Sequence, residues 1–164
     1  MISKIDNEQF LKNETVNIKA LIQEIVEDFQ EHLSTKNIRL YIQHLDDFEF
    51  PNANRTLLFT LFSNIITNAI KYNVENGQID ISATKQGSVF VVEIRDTGVG
   101  IVKENLTHIF DRFKKFNKST EPSFGLGLAI VKTISDFHRL TLSVSSEANK
   151  GTTFRVEFPV SSFT

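Results

Sequence analysis

Residues 54–72, NRTLLFTLFSNIITNAIKY, predict the long helix around which the rest of the chain folds. Apolar residues recur every three or four positions, the spacing that forms one face of a helix: Leu58, Phe62, Ile65, Ile66 and Ala69. Polar residues follow the same spacing on the neighbouring stripe: Asn64, Asn68, Lys71 and Tyr72. Asn costs up to about 0.7 kcal/mol relative to Ala inside a helix, so two of them one turn apart need an explanation.

Two explanations of this polar stripe stay open on the residues alone. The amides either cap a neighbouring segment or face water, which is the ordinary role of helical Asn. Alternatively they belong to a ligand site, because an amide oxygen is a hard, neutral ligand suited to Mg²⁺. In that case Lys71 suits a phosphate group, and the ring of Tyr72 can pack near a base or ribose.

Composition limits the class of protein. The chain has 164 residues, of which 40% are hydrophobic and 23% charged, as in a soluble globular domain. Its net charge of −2 argues against nucleic-acid binding by a basic surface. Without Cys there is no disulfide, thiolate zinc site or thiol nucleophile. No apolar run approaches the ~18 residues that a membrane span needs.

Hydrophobic patterning predicts helices and strands along the whole chain. The expected helices cover residues 17–35, 54–72 and 126–137, with a short helical pattern in 101–116. The expected strands cover residues 38–45, 79–85, 89–95, 140–145 and 152–159. Because the strands arrive in neighbouring pairs, we expect a mixed or mostly antiparallel sheet with the helices on one face.

Two glycine loops follow the central helix. Asp96 to Gly100, DTGVG, comes directly after a strand, and is either a tight turn with an Asp cap or a close approach to a ligand. Ser123 to Leu128, SFGLGL, opens a helix, where backbone N–H groups suit phosphate. The alternative for this second loop is close packing of the helix on a strand. Neither loop is a GxGxxG, and no GxxxxGK[ST] is present.

Together these pieces fit the binding of a nucleotide triphosphate. The helix supplies Mg²⁺ and phosphate ligands, and Asp96 can accept a hydrogen bond from the amino group of adenine. Arg112 and Lys115, between the two loops, can compensate phosphate charge, which is most of what phosphoryl transfer needs from a protein. The two cations are otherwise ordinary solvated charges.

In chain order, these residues resemble the catalytic and ATP-binding domain of bacterial sensor histidine kinases, within the larger family of Bergerat-fold ATPases. The matching segments are an asparagine box at 64–72, a DxGxG box at 96–100, an F box at 109–113, GLGLAIVK at 125–132 and GTTF at 151–154. The resemblance implies an α+β fold, a two-layer α/β sandwich of a mixed five-stranded sheet with about three helices on one face. A lid would run through residues 102–122.

The resemblance also implies roles for single residues. Asn68 would be the Mg²⁺ ligand, Asp96 would bind the exocyclic amine of adenine, and Lys71, Arg112 and Lys115 would be the catalytic cations. The other implied nucleotide contacts are Asn64, Tyr72, Gly98, Gly100, Ser123, Gly125, Leu126, Gly127 and Thr152. Two positions depart from the family pattern, because Ser123 replaces a Gly and Lys115 replaces an Arg, and Lys cannot make a bidentate phosphate contact.

By the same resemblance, residues 17–164 are the catalytic domain and residues 1–16 are the remnant of a preceding dimerisation and phosphoacceptor helix with its linker. None of the four His residues is directly followed by an Asp or Glu, as the family's acceptor His is. We therefore expect transfer from ATP to a His on an upstream hairpin, a homodimer in the full-length protein and a downstream response regulator. The domain would be cytoplasmic, whether or not the parent is anchored in the inner membrane.

Two rival functions stay open. One is a nucleotide-binding module without transfer activity. The other is a serine kinase of the anti-sigma type within the same fold family. ATP hydrolysis fits less well, because residues 57–72 contain no Asp or Glu to activate water.

Overall fold

The computed structural model describes residues 10–111 and 125–160. Within these two ranges the strands are β1 (Glu14–Asn17), β2 (Arg39–Leu45), β3 (Glu49–Ala53), β4 (Gln78–Gln86), β5 (Val89–Asp96), β6 (Thr141–Glu147) and β7 (Gly151–Pro159). The helices are α1 (Ile18–Asp28), α2 (Gln30–Thr35), α3 (Arg55–Lys71), α4 (Lys103–Leu106) and α5 (Gly125–Phe137).

Five of the strands form one mixed sheet, in the order β2-β4-β5-β7-β6. β2 runs parallel to β4, and the other neighbours in the sheet are antiparallel. β1 and β3 form a separate antiparallel pair. The predicted fold class, a two-layer sandwich with a mixed five-stranded sheet, is therefore confirmed.

Helix α3 lies at the centre of the helical layer, packed against α1, α5 and β5. The predicted apolar stripe is buried along its whole length, from Leu57 to Ile70. Asn54 caps its N-terminus, where Oδ1 accepts a hydrogen bond from the N–H of Leu57 at 3.0 Å. Among the described residues, none of the helices has the length and apolarity needed to cross a membrane.

The sheet turns alternate residues of its central strands toward the helices. In β5 the buried positions include Phe90, Val92 and Ile94, and Asp96 continues that face at the end of the strand. In β7 the same alternation buries Thr152, which pairs with Asp96 across the two strands. Strand geometry thus places a carboxylate and a hydroxyl together at one end of the core.

Two predicted boundaries differ from the structure. The single helix expected over residues 17–35 is broken at Phe29, whose ψ of 7° separates α1 from α2. Strand β1 was not predicted, because only Val16 of its four residues is buried and no alternation is visible. Since β1 pairs with β3, residues 14–16 pack on this domain. The assignment of residues 1–16 to the remnant of a preceding helix and its linker stays a prediction.

Candidate functional site

The carboxylate of Asp96 is held by the backbone around it. Its Oδ1 accepts hydrogen bonds from the N–H of Gly98 at 2.8 Å and of Thr152 at 3.3 Å. Its Oδ2 accepts none from the described residues, although the residue is only 8% exposed. One carboxylate oxygen is therefore fixed in place while the other is available to a donor such as an amine.

Burial raises the pKa of Asp96 from 3.8 to about 6, and the two backbone N–H donors oppose part of that rise. Near neutral pH the group is still mostly ionised, so it acts as an acceptor. A buried carboxylate of this kind is unfavourable for the fold and is a common feature of binding sites.

Gly98 brings the loop of Asp96 against the C-terminal end of α3. The N–H of Val99 donates to the carbonyl oxygen of Tyr72 at 3.0 Å. A Cβ added to Gly98 would clash with that carbonyl and come within 2.8 Å of Oδ1 of Asp96. The glycine at this position therefore allows the DTGVG loop and the asparagine-bearing helix to share one surface.

Gly100 joins the same loop to the turn between β6 and β7. Its φ of 73° is in the left-handed region, and a Cβ would clash with the carbonyl oxygen of Glu147. Ser146 ties this turn to the site, because its Oγ lies 2.8 Å from Oγ1 of Thr152 and accepts a hydrogen bond from the N–H of Ile101 at 2.7 Å.

Asn64 and Asn68 are half-buried on α3, one turn apart. In the described part of the chain, neither side-chain amide makes a hydrogen bond, so capping of a described neighbour does not explain them. Lys71 is exposed at the end of the helix, with Nζ 5.3 Å from the centroid of the Tyr72 ring. These polar groups are available to a ligand.

The first turn of α5 lies beside Asn64. A Cβ added to Gly127 would be 3.6 Å from Oδ1 of Asn64, an ordinary contact distance. Helix α5 begins at Gly125, so the N–H groups of Gly125, Leu126 and Gly127 are in its first turn, where they have no partner inside the helix. The first turn of α5 thus reaches α3 beside Asn64.

Contacts therefore join six of the predicted site residues in two groups. They run from Thr152 and Asp96 through Gly98 to Tyr72, and from Asn64 to Gly127. Three other predicted residues, Arg112, Lys115 and Ser123, lie outside the described residues.

Sequence reasoning missed Ser146 and two further supporting residues. Asn73 is buried, and its Oδ1 accepts from the hydroxyl of Thr97 at 3.1 Å, which fixes the turn after α3 to the DTGVG loop. Lys36 donates from Nζ to the carbonyl oxygens of Ile70, Lys71 and Asn73. A cation there stabilises the C-terminal end of α3. An Asn directly after the C-cap was the only signal for Asn73, and nothing in the sequence indicated the role of Lys36.

Comparison with known proteins agrees with this arrangement. Residues 53–162 match the family model described as histidine kinase-, DNA gyrase B-, and HSP90-like ATPase. The chain is 35% identical over 159 residues to the heme sensor protein HssS of Staphylococcus saprophyticus, covering 96% of this chain and 34% of that protein. It is 33% identical over 146 residues to the sensor histidine kinase RppB of Synechocystis, covering 87% of this chain and 32% of that protein.

Among solved structures, the catalytic domain of histidine kinase ThkA is similar, with a TM-score of 0.73 and 28% identity over 89% of this chain and 95% of that one. ThkA has also been solved in complex with a response regulator protein, TrrA; that chain has a TM-score of 0.75 and 24% identity, and the match covers 98% of this chain and 46% of that one. These names give no support to a serine kinase or an inactive module.

The chain spans about a third of the length of the curated relatives it matches. It has the fold of the ThkA catalytic domain. The chain belongs to the family of histidine kinase-, DNA gyrase B- and HSP90-like ATPases, and within it to the ATP-binding catalytic domains of sensor histidine kinases.

Proposed function

We propose that the chain binds Mg·ATP between α3, residues 96–100 and the start of α5, and transfers the γ-phosphoryl group to a histidine. That histidine would be on a dimerisation hairpin of the parent protein, supplied from outside residues 1–164. One observation carries the proposal: segments distant in sequence meet through Gly98 at Tyr72 and through Gly127 at Asn64. Near these points, Oδ2 of Asp96 and the side-chain amides of Asn64 and Asn68 make no hydrogen bond with the described residues.

The adenine end would be formed around Asp96. Its Oδ2 would accept a hydrogen bond from the exocyclic amine, while Oδ1 stays fixed by the N–H groups of Gly98 and Thr152. Thr152 would assist through a water molecule, and Gly98 and Gly100 would let the ring lie close to the backbone. The ring of Tyr72 would pack beside the nucleoside.

The phosphate end would be formed where α3 meets α5. The amide oxygen of Asn68 suits Mg²⁺, and Asn64 would contact the ion or the phosphates. The N–H groups of 125–127 and the ammonium of Lys71 would bind phosphate oxygens. Among the described residues, no cluster of three His, Asp or Glu side chains could hold a metal. The other ligands of Mg²⁺ would therefore be phosphate oxygens and water, and the bound ion would neutralise phosphate charge.

Three further residues stay predictions. Arg112 and Lys115 would compensate the charge that develops on the transferred group. Ser123 would end the lid next to the phosphates.

The partners of the parent protein are also proposals. We infer a homodimer through the upstream hairpin and a response regulator as the receiver of the phosphoryl group. The names of the relatives support this, and so does the complex of ThkA with TrrA. We infer a cytoplasmic position for the domain, with any membrane anchor of the parent outside this chain.

Isothermal titration calorimetry with Mg·ATP tests the binding step. We expect Asn68→Asp to lose Mg·ATP binding, because its carboxylate repels the phosphates and changes the charge around the ion. Asp96→Ala should lose the adenine contact. Gln23→Glu, an exposed amide-to-acid change on α1, and Asp28→Ala, an exposed acid, are the matched controls. Unchanged affinity in both site variants would contradict the proposed site.

Phosphotransfer tests the second step. The chain is mixed with radiolabelled Mg·ATP and a separately supplied hairpin from a sensor kinase, and label on the hairpin is measured. Acid-labile label that depends on the hairpin histidine supports the kinase. Binding of ATP without label on any hairpin or on a serine substrate would favour a module without transfer activity, and label on serine would favour the serine kinase.

A further inference from the structure

The N-terminal part of the described chain contacts the start of α3 and the end of α5, which lie away from the proposed nucleotide site. We define residues 10–14 as the entry segment. The carbonyl oxygen of Leu11 accepts a hydrogen bond from Nδ2 of Asn54 at 2.9 Å. Nζ of Lys12 donates to the carbonyl oxygen of Phe137 at 3.0 Å and lies 4.9 Å from the centroid of its ring. The entry segment thus touches the start of α3 and the end of α5 together.

His138 joins these two helix ends directly. Its Nε2 accepts a hydrogen bond from the N–H of Asn54 at 3.0 Å, and its Nδ1 lies 3.0 Å from the carbonyl oxygen of Ile134. A neutral imidazole with its proton on Nδ1 satisfies both contacts. His138 is only 4% exposed, so the junction is shielded from water.

Helices α3 and α5 pack together and run antiparallel, as contacts at their two ends show. At one end Asn54 meets His138, and at the other end Asn64 meets Gly127. From Gly127 to His138 the helical rise amounts to about 16 Å. A rotation or shift at the entry-segment end must therefore move the first turn of α5 relative to the amides of α3, since helices are stiff over this length.

We propose that docking of the entry segment on Asn54 and Phe137 fixes the crossing of α3 and α5 and thereby raises nucleotide affinity at their opposite ends. This inference rests on the proposed function, because it assigns a regulatory input to the same site. The coupling is reciprocal: bound nucleotide must stabilise the docked entry segment by the same factor. Whatever pulls on the chain before residue 10 would then lower nucleotide affinity.

Asn54→Asp is the most selective variant for testing the hydrogen bond between Asn54 and the carbonyl oxygen of Leu11. Asp keeps the oxygen that accepts from the N–H of Leu57, so α3 keeps its cap. The backbone bond to His138 is unaffected, because it uses the main-chain N–H. Only the donor to the carbonyl of Leu11 is lost, and two acceptors then face each other.

Lys12→Met removes the ammonium but keeps most of the side-chain length. Lys12→Arg is the rescue variant, because a guanidinium can still donate to the Phe137 carbonyl and lie over its ring. Lys85→Met is the matched control, since Lys85 is an exposed cation at the far end of the β4–β5 hairpin. All variants are made in the full chain.

The measurement is Mg·ADP affinity by calorimetry, with melting temperature and amide hydrogen exchange as second readouts. We expect affinity to fall about fivefold or more in Asn54→Asp and Lys12→Met, in the range of ordinary allosteric coupling. Lys12→Arg and Lys85→Met should bind like the unaltered chain. Without nucleotide, exchange should speed up at residues 64–72 in the two weakened variants.

A lower melting temperature with unchanged Mg·ADP affinity and unchanged exchange at 64–72 would overturn the inference. The entry segment would then stabilise only the residues that it contacts. If the unaltered chain binds no Mg·ADP, the proposed function fails. In that case, amide hydrogen exchange at residues 64–72 alone tests whether the two ends of the helices are coupled.

Discussion

The N–H of Val99 donates to the carbonyl oxygen of Tyr72 at 3.0 Å, which joins the DTGVG loop to the C-terminal end of the asparagine-bearing helix. Gly98 stands between them, where a Cβ would clash with the same carbonyl. The two sequence boxes are therefore held together by main-chain atoms, and small changes there affect both.

Gly98→Ala should destabilise the domain by about 1–3 kcal/mol, the usual cost of forcing an extra carbon into a packed site. It should also weaken Mg·ADP binding, because Asp96 and the loop must move. Urea denaturation and calorimetry measure the two effects. Stability equal to that of the unaltered chain would mean that the loop yields without strain, contrary to this expectation.

Gly127→Ala, unlike Gly98→Ala, should raise the stability of the domain. Its Cβ would have only an ordinary contact, with Asn64, and Ala is favoured over Gly in a helix by up to about 1 kcal/mol. We expect a slightly more stable domain that binds Mg·ADP on the order of tenfold more weakly, a loss of ~1.4 kcal/mol, because the methyl group occupies the approach to the phosphates. Unimpaired binding would place the phosphates elsewhere.

Asp96→Asn should stabilise the domain without nucleotide at pH 7. The folded state raises the pKa of Asp96 from 3.8 to about 6, so it binds more protons than the unfolded chain between these values. The contribution of this group to the free energy of unfolding is fully present below pH 3.8 and is lost as pH rises through 6. The difference amounts to up to roughly 3 kcal/mol. Denaturant titrations at pH 4 and 7 should show the gain only at pH 7. Asp28→Asn is the control.

Mg·ADP affinity should fall as pH drops through about 6, because protonated Asp96 loses an acceptor for the adenine amine. Calorimetry from pH 5 to 8 measures this, and GDP, which carries an oxygen in place of that amine, serves as the comparison ligand. A flat profile in this range would remove Asp96 from base recognition.

His138 should give a stability profile of the opposite slope. Burial lowers its pKa below 6.5; the bond to Ile134 opposes that fall, and the charge of Lys12 adds to it. Its contribution is therefore full above pH 6.5 and is lost as pH falls through the folded-state pKa. His138→Gln should cost about 1–3 kcal/mol at pH 8 and flatten the slope.

Denaturant titrations for His138 are best compared in an Asp96→Asn background, which removes the competing slope. His44→Gln, an exposed histidine on β2, is the control. An unaltered slope in His138→Gln would show that another group titrates.

Local patterning predicted most of the fold. The 3.6-residue spacing of 54–72 appears as α3, and alternation predicted five strands within two or three residues. The boxes predicted the family because their glycine and Asn residues lie where two segments approach closely, as the contacts of Gly98 and Gly127 illustrate.

What the sequence could not predict depends on distant neighbours. Lys36 is one of 18 basic residues, and nothing local indicates that it caps α3. The hydroxyl of Ser146 acquires its role only when β6 pairs with β7. Strand β1 exists because β3 is there to pair with it. The roles of Arg112, Lys115 and Ser123 stay predictions.

The parallel pairing of β2 with β4 has a consequence for how the domain comes apart. Two parallel neighbours need a crossing connection, and here that connection includes α3. Because α3 lies between β2 and β4 in the chain, we expect detachment of the edge strand β2 to loosen α3 as well. A ligand bound to α3 would therefore also protect the edge strand β2 from proteolysis.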